Sequence, residues 1–247
     1  MTIAYDGSRY RGWQRQPDTE MTIQSILEKA VREVTGYSVE VNGSGRTDGG
    51  VHAFGQTASV KVAGKIEEKE FRDQINAKLP DDIRIMEARL MKNSFHARYS
   101  ARSKCYEYHI DQREKADVFQ RKYCYHYPKE LDLAAMEEAS QYLIGKHDFT
   151  SFCDRKEEED KSLVRTVYDI EIRKKKEKIT IVYTGSGFLY HMVRILTGTL
   201  LAVGTGEIEA EEIPAILEAK TRSLSGELVP ANGLFLKEVY YDVGGKR

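Results

Sequence analysis

The chain has few cysteines, and none of them is placed as a metal ligand or as half of a redox pair. Its 247 residues include only Cys105, Cys124 and Cys153, with no C-x-x-C pair and no histidine at zinc-ligand spacing. Disulfide frameworks and structural zinc sites require paired or clustered cysteines. We therefore expect reduced thiols in a cytoplasmic protein without structural zinc.

Two further absences concern membranes and nucleotide cofactors. The amino terminus lacks the basic and then apolar stretches of a leader, and no run is apolar for the ~20 residues that a membrane-spanning helix needs. The chain also lacks the glycine patterns G-x-G-x-x-G and G-x-x-x-x-G-K, which bind dinucleotides and phosphates. We expect no membrane association, no cofactor and no metal.

Charge is nearly balanced overall but uneven along the chain. The 38 basic and 39 acidic residues give a net charge of −1, which argues against a protein that coats nucleic acid through bulk charge. Two basic clusters nevertheless stand out, the first of them beside Tyr10 and Trp13. The clusters are Arg9, Arg11 and Arg15, and Arg89, Lys92, Arg98, Arg102 and Lys104. Cations interleaved with aromatic rings suit RNA, although solvated surface arginines are the commoner explanation of such a cluster.

Hydrophobic periodicity predicts the same order of elements in both halves of the chain. The first half reads as strand 2–5, helix 23–34, strands 38–42 and 53–62, helix 71–79 and strand 83–91. The second half reads as strand 104–110, helix 133–143, strands 164–173 and 178–184, helix 187–203, a short helix near Pro214 and strand 234–241. This order is that of the split βαβ unit. We predict an α+β fold of two ferredoxin-like halves, residues 1–94 and 95–247, whose antiparallel sheets join around a central catalytic cleft.

The loop between the strands at 38–42 and 53–62 is long and rich in glycine. Residues 41–56 hold five glycines around Arg46 and Asp48. Glycine is usually kept where the backbone takes positive φ or where another group approaches it closely. Either this is a long hairpin loop with an exposed ion pair, or it displays Arg46 and Asp48 rigidly; the spacing alone favours neither.

One arginine interrupts the apolar helix of residues 187–203. Arg194 follows Phe188, Leu189 and Met192 in a segment apolar around most of its circumference. A buried arginine is rare unless it is paired, because removing its water costs several kcal/mol. Arg194 either extends to the surface or pairs with Asp48, whose ionised form it then favours.

Five segments share residues with one known family. The loop Gly45–Ala53 closely resembles the signature loop of the tRNA pseudouridine synthase A family, which usually has alanine where this chain has Gly49. The other segments agree in order along the chain. They are Tyr5–Ser8 with Gly12–Gln16, Phe95–Ala101, His147–Phe152 and His191–Arg194, followed by Gly233–Leu236. The resemblance thus covers nearly the whole chain.

The resemblance implies roles for four residues. Asp48 is the essential catalytic carboxylate, and Arg194 is its salt-bridge partner. Arg46 enters the RNA and helps to hold the target uridine out of the stack. Tyr106 is counted with the catalytic residues: it packs against the target base, either as a stacking platform only or also as a proton-transfer group. Five further arginines are candidate phosphate contacts: Arg9, Arg11, Arg15, Arg98 and Arg102.

The reaction implied is the cofactor-free isomerisation of uridine to pseudouridine in the anticodon stem-loop of tRNA, by a homodimer. One alternative is a paralogue acting on another RNA such as ribosomal RNA. A second is a non-catalytic RNA-binding protein with RRM-like halves, although the RNP1 pattern is absent and a carboxylate repels phosphate. A third is a metal-dependent hydrolase using Asp48 and His52, which lacks further ligands.

Three other residues receive structural interpretations. We predict that Tyr99 and Tyr108 are ordinary strand tyrosines covering a core edge. His52, although close to Asp48, is interpreted as a hydrogen-bonded structural histidine because it stands at the start of a strand. Asp48 itself can act as nucleophile at C1′, as nucleophile at C6 or as base at C2′, and the sequence does not separate these.

Overall fold

The computed structural model describes residues 1–154 and 162–242, which fold into ten strands and five α-helices. The strands are β1 (Thr2–Tyr5), β2 (Val41–Gly43), β3 (His52–Val60), β4 (Ile83–Glu87), β5 (Ala101–Asp111), β6 (Tyr125–His126), β7 (Gly145–Asp148), β8 (Val164–Lys175), β9 (Lys178–Gly185) and β10 (Leu234–Tyr241). The helices are α1 (Ile23–Thr35), α2 (Glu68–Asn76), α3 (Leu133–Leu143), α4 (Met192–Gly204) and α5 (Ile213–Ala219). The predicted α+β class is confirmed. None of the helices described is long and apolar enough to cross a bilayer.

The chain divides into two compact units. Of the described residues, one unit contains 1–102 and 235–242, and the other contains 103–154 and 162–234. The sequence predicts one boundary, between residues 94 and 95. The structure instead groups β10 with the first unit, where Phe235 pairs in parallel with His52 of β3.

The first unit has the strand order of a ferredoxin-like sheet. β1 lies between β4 and β3 and is antiparallel to both, and β2 is antiparallel to the end of β3 that β10 does not reach. The order β4-β1-β3-β2 is that expected of a split βαβ unit. Helix α1 begins at its cap Thr22, whose side chain accepts the Ser25 N–H, and ends at Gly36 with φ 83°. Both ends of this helix confirm the prediction.

The second unit contains the order β5-β9-β8-β7, antiparallel throughout, with β6 parallel to β5. Nearly every residue of α4 is buried, as its apolar sequence predicts. Its predicted start at Gly187 is wrong, because the helix begins at Met192. His191, the residue before it, takes a left-handed φ of 62°, which a continuing right-handed helix does not allow.

Candidate active site

The loop that carries Asp48 is fixed through the residue before it. Thr47 is buried, and its hydroxyl lies 2.8 Å from the buried Tyr5 hydroxyl of β1. The Thr47 carbonyl accepts the Trp13 N–H at 3.0 Å, and the Asp48 carbonyl accepts the Val51 N–H at 3.2 Å. These bonds hold the backbone on both sides of the Asp48 side chain.

Close approach of two main chains adds to this rigidity. A Cβ on Gly12, whose φ is 91°, would lie 2.6 Å from the Thr47 carbonyl oxygen, and a Cβ on Gly7 would collide with the Val51 carbonyl. Gly49 differs, since a Cβ there would have its nearest neighbours at 3.6 Å, an ordinary contact. Gly7 and Gly12, in the segment packed against the loop, are therefore required, whereas Gly49 is not.

The loop turns Thr47 inward and exposes its neighbours. Asp48 is partly exposed and Arg46 is exposed, on either side of the buried Thr47. The structure therefore favours a rigid display of Arg46 and Asp48 over a plain hairpin turn. A partly exposed carboxylate fixed in this way can act as a nucleophile or a general base towards a bound substrate.

Arg46 is oriented by a chain of side-chain amides. Its Nε donates to Gln14 Oε1 at 3.1 Å, and Gln14 Nε2 donates to Gln24 Oε1 at 2.8 Å. Gln24 is buried on α1 and donates in turn to Glu28 at 3.0 Å. The sequence did not predict this series of hydrogen bonds, because its residues lie in three separate segments. The one local indication of it was the position of Gln14 next to Trp13.

His52 is held as a structural residue. It is 1% exposed, and its ring stacks on Phe235 with centroids 4.6 Å apart. Its Nδ1 lies 3.1 Å from the Gly7 nitrogen and 3.2 Å from an Asp6 carboxylate oxygen. In either protonation state this nitrogen has a partner in its own unit, in agreement with the structural interpretation.

Four of the five candidate phosphate-binding arginines form ion pairs with carboxylates. Arg9 pairs with Asp82, Arg11 with Asp18, Arg15 with Glu28 and Arg102 with Asp242, and all four arginine side chains are more than half exposed. The Arg11–Asp18 and Arg102–Asp242 pairs are exposed on both sides. Such pairs contribute only ~0–1 kcal/mol, so these two arginines can exchange a carboxylate for a phosphate.

The aromatic residues of the first basic cluster do not have the predicted role. Tyr10 is 3% and Trp13 is 2% exposed, and Trp13 packs under the Asp48 loop, where Gly43 leaves room for its ring. Neither ring has a face available for stacking on a base. The interpretation of this cluster as cations interleaved with stackable aromatics is therefore wrong.

In the second unit, Tyr106 is fixed on β5. It lies opposite Tyr183 in the antiparallel ladder with β9 and is 7% exposed. The Phe188 ring meets it edge-on, with centroids 5.3 Å apart and planes at 85°. These contacts restrict the ring of Tyr106 to one orientation.

Arg194 lies in the first turn of α4 and is held by main chain from a distant segment. Its Nε donates to the Val229 carbonyl at 2.8 Å. On the next residue, the Pro230 carbonyl accepts the Tyr108 hydroxyl at 2.7 Å. Burial raises the pKa of Tyr108, against the opposing charge of Arg194, so this hydroxyl keeps its proton. Tyr108 is completely buried, which agrees with its structural interpretation.

A carboxylate that the sequence did not single out joins the start of α4 to the segment before Val229. Asp154 Oδ2 is 2.6 Å from His191 Nδ1, and Asp154 Oδ1 accepts Arg222 Nε at 3.1 Å. Arg222 also donates to the Gly226 carbonyl at 3.0 Å. Burial raises the pKa of Asp154, but the bonds from His191 and Arg222 outweigh it and leave that pKa below its usual value.

The predicted site residues thus fall into two groups. Asp48, Arg46 and the five other arginines belong to the first unit, and Tyr106 and Arg194 belong to the second. The pairing of Asp48 with Arg194 stays a prediction. Within residues 1–154 and 162–242, no three histidine, cysteine, aspartate or glutamate side chains cluster as metal ligands.

Comparison with known proteins gives consistent matches over the chain. A family model described as tRNA pseudouridine synthase matches residues 1–100 and 139–242. The tRNA pseudouridine synthase A of Caldicellulosiruptor bescii is 44% identical over 241 residues, which are 98% of each chain. That of Anoxybacillus flavithermus is 46% identical over 242 residues, 98% of this chain and 97% of the relative. A solved Cbf5-Nop10-Gar1 complex aligns with a TM-score of 0.38 and 11% identity over 82% of this chain and 45% of that one, too distantly to carry weight.

Proposed function

The chain belongs to the tRNA pseudouridine synthase family, and we propose that it isomerises uridine to pseudouridine in tRNA with Asp48 as the essential carboxylate. The reaction breaks the bond between N1 of uracil and C1′, turns the base, and joins C5 to C1′. The hydrogen on C5 is lost and one on N1 is gained, so the product is an isomer. The balance requires no oxidant, reductant or external group.

The observation that carries this proposal is the fixed backbone around Asp48. The contacts of Tyr5 and Trp13 with Thr47, and the turn closed by Val51, hold the backbone at Asp48 in place while its side chain stays partly exposed. A preorganised carboxylate of this kind suits attack on C1′ or C6, or removal of a proton from C2′. The three routes share the same residue.

The target base must leave the helix before any of these routes can begin. Flipping a nucleotide costs a few kcal/mol, which stacking and phosphate contacts offset. Arg46, oriented by Gln14, is proposed to help hold the uridine out of the stack. Tyr106 is proposed to pack against the flipped base, and its fixed ring orientation suits that role.

Arg194 is proposed to pair with Asp48 in the active protein. The bond from its Nε to the Val229 carbonyl fixes the guanidinium at the first turn of α4, and a guanidinium is able to donate to a carboxylate through its planar set of N–H groups. The proposed substrate site is the anticodon stem-loop, and the proposed assembly is a homodimer in the cytoplasm. These three statements rest on family membership, and light scattering of the purified protein tests the dimer.

The test of the function is tritium release. Unmodified tRNA transcripts labelled at C5 of uridine lose tritium to water only when the C5–H bond breaks. We expect release by the wild type with EDTA present and no cofactor added. Asp48→Asn should lower the rate by about 100- to 10,000-fold or more, which is the usual contribution of a catalytic carboxylate.

Two controls make this test specific. Asp73→Asn removes an exposed carboxylate of α2 that pairs with Arg72, and it should release tritium at the wild-type rate. Fluorescence anisotropy should show that Asp48→Asn still binds the tRNA. An active Asp48→Asn protein would overturn the central role of this residue, and release from ribosomal RNA alone would favour the paralogue alternative.

Arg194 is tested with a pair of variants. Arg194→Leu removes the charge and the bond to Val229, whereas Arg194→Lys keeps the charge but lacks the Nε–H donor. We expect both to lower kcat, with the lysine variant retaining more activity. A normal kcat for Arg194→Leu would contradict the proposed pairing with Asp48.

A further inference from the structure

Tyr99 is a surface residue, contrary to the prediction that it covers a core edge. It precedes β5 in a turn, and 79% of it is exposed. The prediction is wrong because the strand begins only at Ala101. Tyrosine and arginine are enriched among the residues that contribute most of the binding energy at interfaces.

The backbone that carries Tyr99 is firmly held. Ala97 is buried, with its N–H donated to Ser59 Oγ at 3.1 Å and its carbonyl accepting the Tyr241 hydroxyl at 2.7 Å. Burial raises the pKa of Tyr241 to about 12, so the donor keeps its proton at neutral pH. The Ser100 N–H closes the turn on the His96 carbonyl at 2.9 Å. The exposed ring therefore stands on an ordered support.

The ring also has partners that restrict it. The His96 ring lies against it, with centroids 4.4 Å apart, and the Arg98 guanidinium is 5.8 Å from its centroid. A cation beside an aromatic face adds to stacking on nucleobases. Tyr99 thus presents an aromatic surface whose orientation is partly fixed before any ligand binds.

Arg98 differs from the other candidate phosphate-binding arginines. In the part of the chain that the structure describes, no carboxylate forms a salt bridge with its guanidinium, whereas Arg9, Arg11, Arg15 and Arg102 each have one. Its positive charge is therefore not compensated by a neighbour. A phosphate can bind it without first displacing a carboxylate.

We propose that Tyr99 is a stacking platform for an unpaired base of the bound RNA, and that Arg98 contacts the adjacent phosphate. The inference rests on the proposed function, because the RNA is the tRNA substrate. It adds a contact outside the Asp48 loop, at a residue that the sequence marks only as structural. RNA supplies both groups that suit this surface, a base for the Tyr99 ring and a phosphate for the Arg98 charge.

The binding test compares four variants of the full chain on one unmodified tRNA transcript. Tyr99→Ala should raise Kd by about 5- to 150-fold, the range for loss of one stacked base. Tyr99→Phe should bind within twofold of the wild type, because it keeps the ring, whereas Tyr99→Leu should bind as weakly as the alanine variant. Phe119→Ala is the matched control, since Phe119 is 83% exposed and should be neutral.

A fluorescence signal tests stacking directly. The chain has one tryptophan, Trp13, which is 2% exposed, so Tyr99→Trp introduces the only exposed indole. Stacking on a base should quench its emission when the transcript binds. The phosphate contact is tested with Arg98→Gln, which should reduce the slope of log K against log salt by about one.

Three results would overturn the inference. One is a Tyr99→Ala protein that binds the transcript within twofold of the wild type. Another is rescue of binding by Tyr99→Leu, which would mean that apolar volume matters and stacking does not. The third is conversion of a dimer to monomers by Tyr99→Ala with tRNA affinity per chain unchanged. Tritium release by the wild type decides the proposed function separately, because the affinity comparison does not depend on turnover.

Discussion

The hydroxyl of Tyr5, on the first strand, lies 2.8 Å from the hydroxyl of Thr47, the residue before Asp48. Both side chains are buried, at 5% and 6% exposure. Burial raises the pKa of Tyr5, so its hydroxyl stays protonated at neutral pH. The position of Asp48 therefore depends on a contact between two residues that are 42 positions apart in the sequence.

Tyr5→Phe should destabilise the protein and slow its reaction. The change leaves the Thr47 hydroxyl buried without this partner, at a cost of about 1–3 kcal/mol. Urea unfolding measures that loss, and tritium release should show a lower kcat because the support of Asp48 is weakened. The loss of stability can be compared with that of Tyr183→Phe in the second unit, because the Tyr183 and Thr197 hydroxyls form a buried pair of the same kind, 2.8 Å apart. Equal kcat for Tyr5→Phe and the wild type would show that the loop holds Asp48 without this bond.

Gly49→Ala should stabilise the protein without loss of activity. The added Cβ meets no atom closer than 3.6 Å, and alanine reduces the conformational freedom of the unfolded chain, which contributes about 0.4–1 kcal/mol. Thermal unfolding should show a higher Tm at an unchanged rate of tritium release. Gly12→Ala is the contrasting variant, because its Cβ would lie 2.6 Å from the Thr47 carbonyl. A destabilised Gly49→Ala protein would refute this account of the loop.

His52→Phe should lower stability and leave the pH dependence of the reaction unchanged in shape. Phenylalanine keeps a ring against Phe235 but removes the nitrogen that faces Gly7 and Asp6. The Gly7 N–H then loses its acceptor, which costs about 1–3 kcal/mol. Tritium release measured from pH 5 to 9, well below the Tm, checks this. Disappearance of one limb of the profile would instead make His52 an acid or base in the reaction.

Arg113→Gln should destabilise the protein at neutral pH and much less in acid. Arg113 donates to Asp111 through two nitrogens, both at 2.8 Å, and Asp111 is buried. The bonds from Arg113 lower the pKa of Asp111, although burial opposes them. Because the pKa of Asp111 is lower in the folded state than in the unfolded state, its ionised form stabilises the fold at pH values above the unfolded-state pKa of ~3.9. This stabilisation is lost as the pH falls through the folded-state pKa.

Urea unfolding at pH 7 and near pH 3 measures this difference. At pH 7 the loss should be about 1.5–3 kcal/mol, the usual range for hydrogen bonds to a charged group. Arg173→Gln is the control, because Arg173 and Glu171 form an exposed pair that should contribute at most ~1 kcal/mol. An equal loss for Arg113→Gln at both pH values would exclude the charge-dependent mechanism.

Much of the fold was predictable because its signals are local. The ends of α1 follow from the Thr22 cap and from Gly36, and the bounds of β10 match the predicted strand. The start of α4 was not predictable, since an apolar run gives no sign that His191 takes a left-handed conformation. The edge strand β7 was also missed, because its four residues carry no alternating pattern.

The candidate site shows the same division. The glycine-rich loop with Arg46 and Asp48 stands out in the sequence, and the apolar segment around Arg194 does too. The residues that hold them in place do not stand out in the sequence. Tyr5 contacts Thr47 and Val229 accepts the Arg194 Nε–H, and both are distant in the sequence from the residues that they hold. Asp154 gave no signal at all, as its partners His191 and Arg222 are 37 and 68 positions away.

By itself, the sequence determined the chemistry available to this protein and the order of its elements. Residue types, caps and periodicity are properties of short segments, so they can be recognised in the sequence without knowledge of the fold. Tertiary structure alone decided which aromatic rings are covered. Trp13 and Tyr99 both stand near arginines in the sequence, but Trp13 is buried and Tyr99 is exposed. It also decided that β10 pairs with β3. Burial and strand pairing depend on contacts between residues far apart in the chain, and such contacts cannot be recognised from a short stretch of sequence.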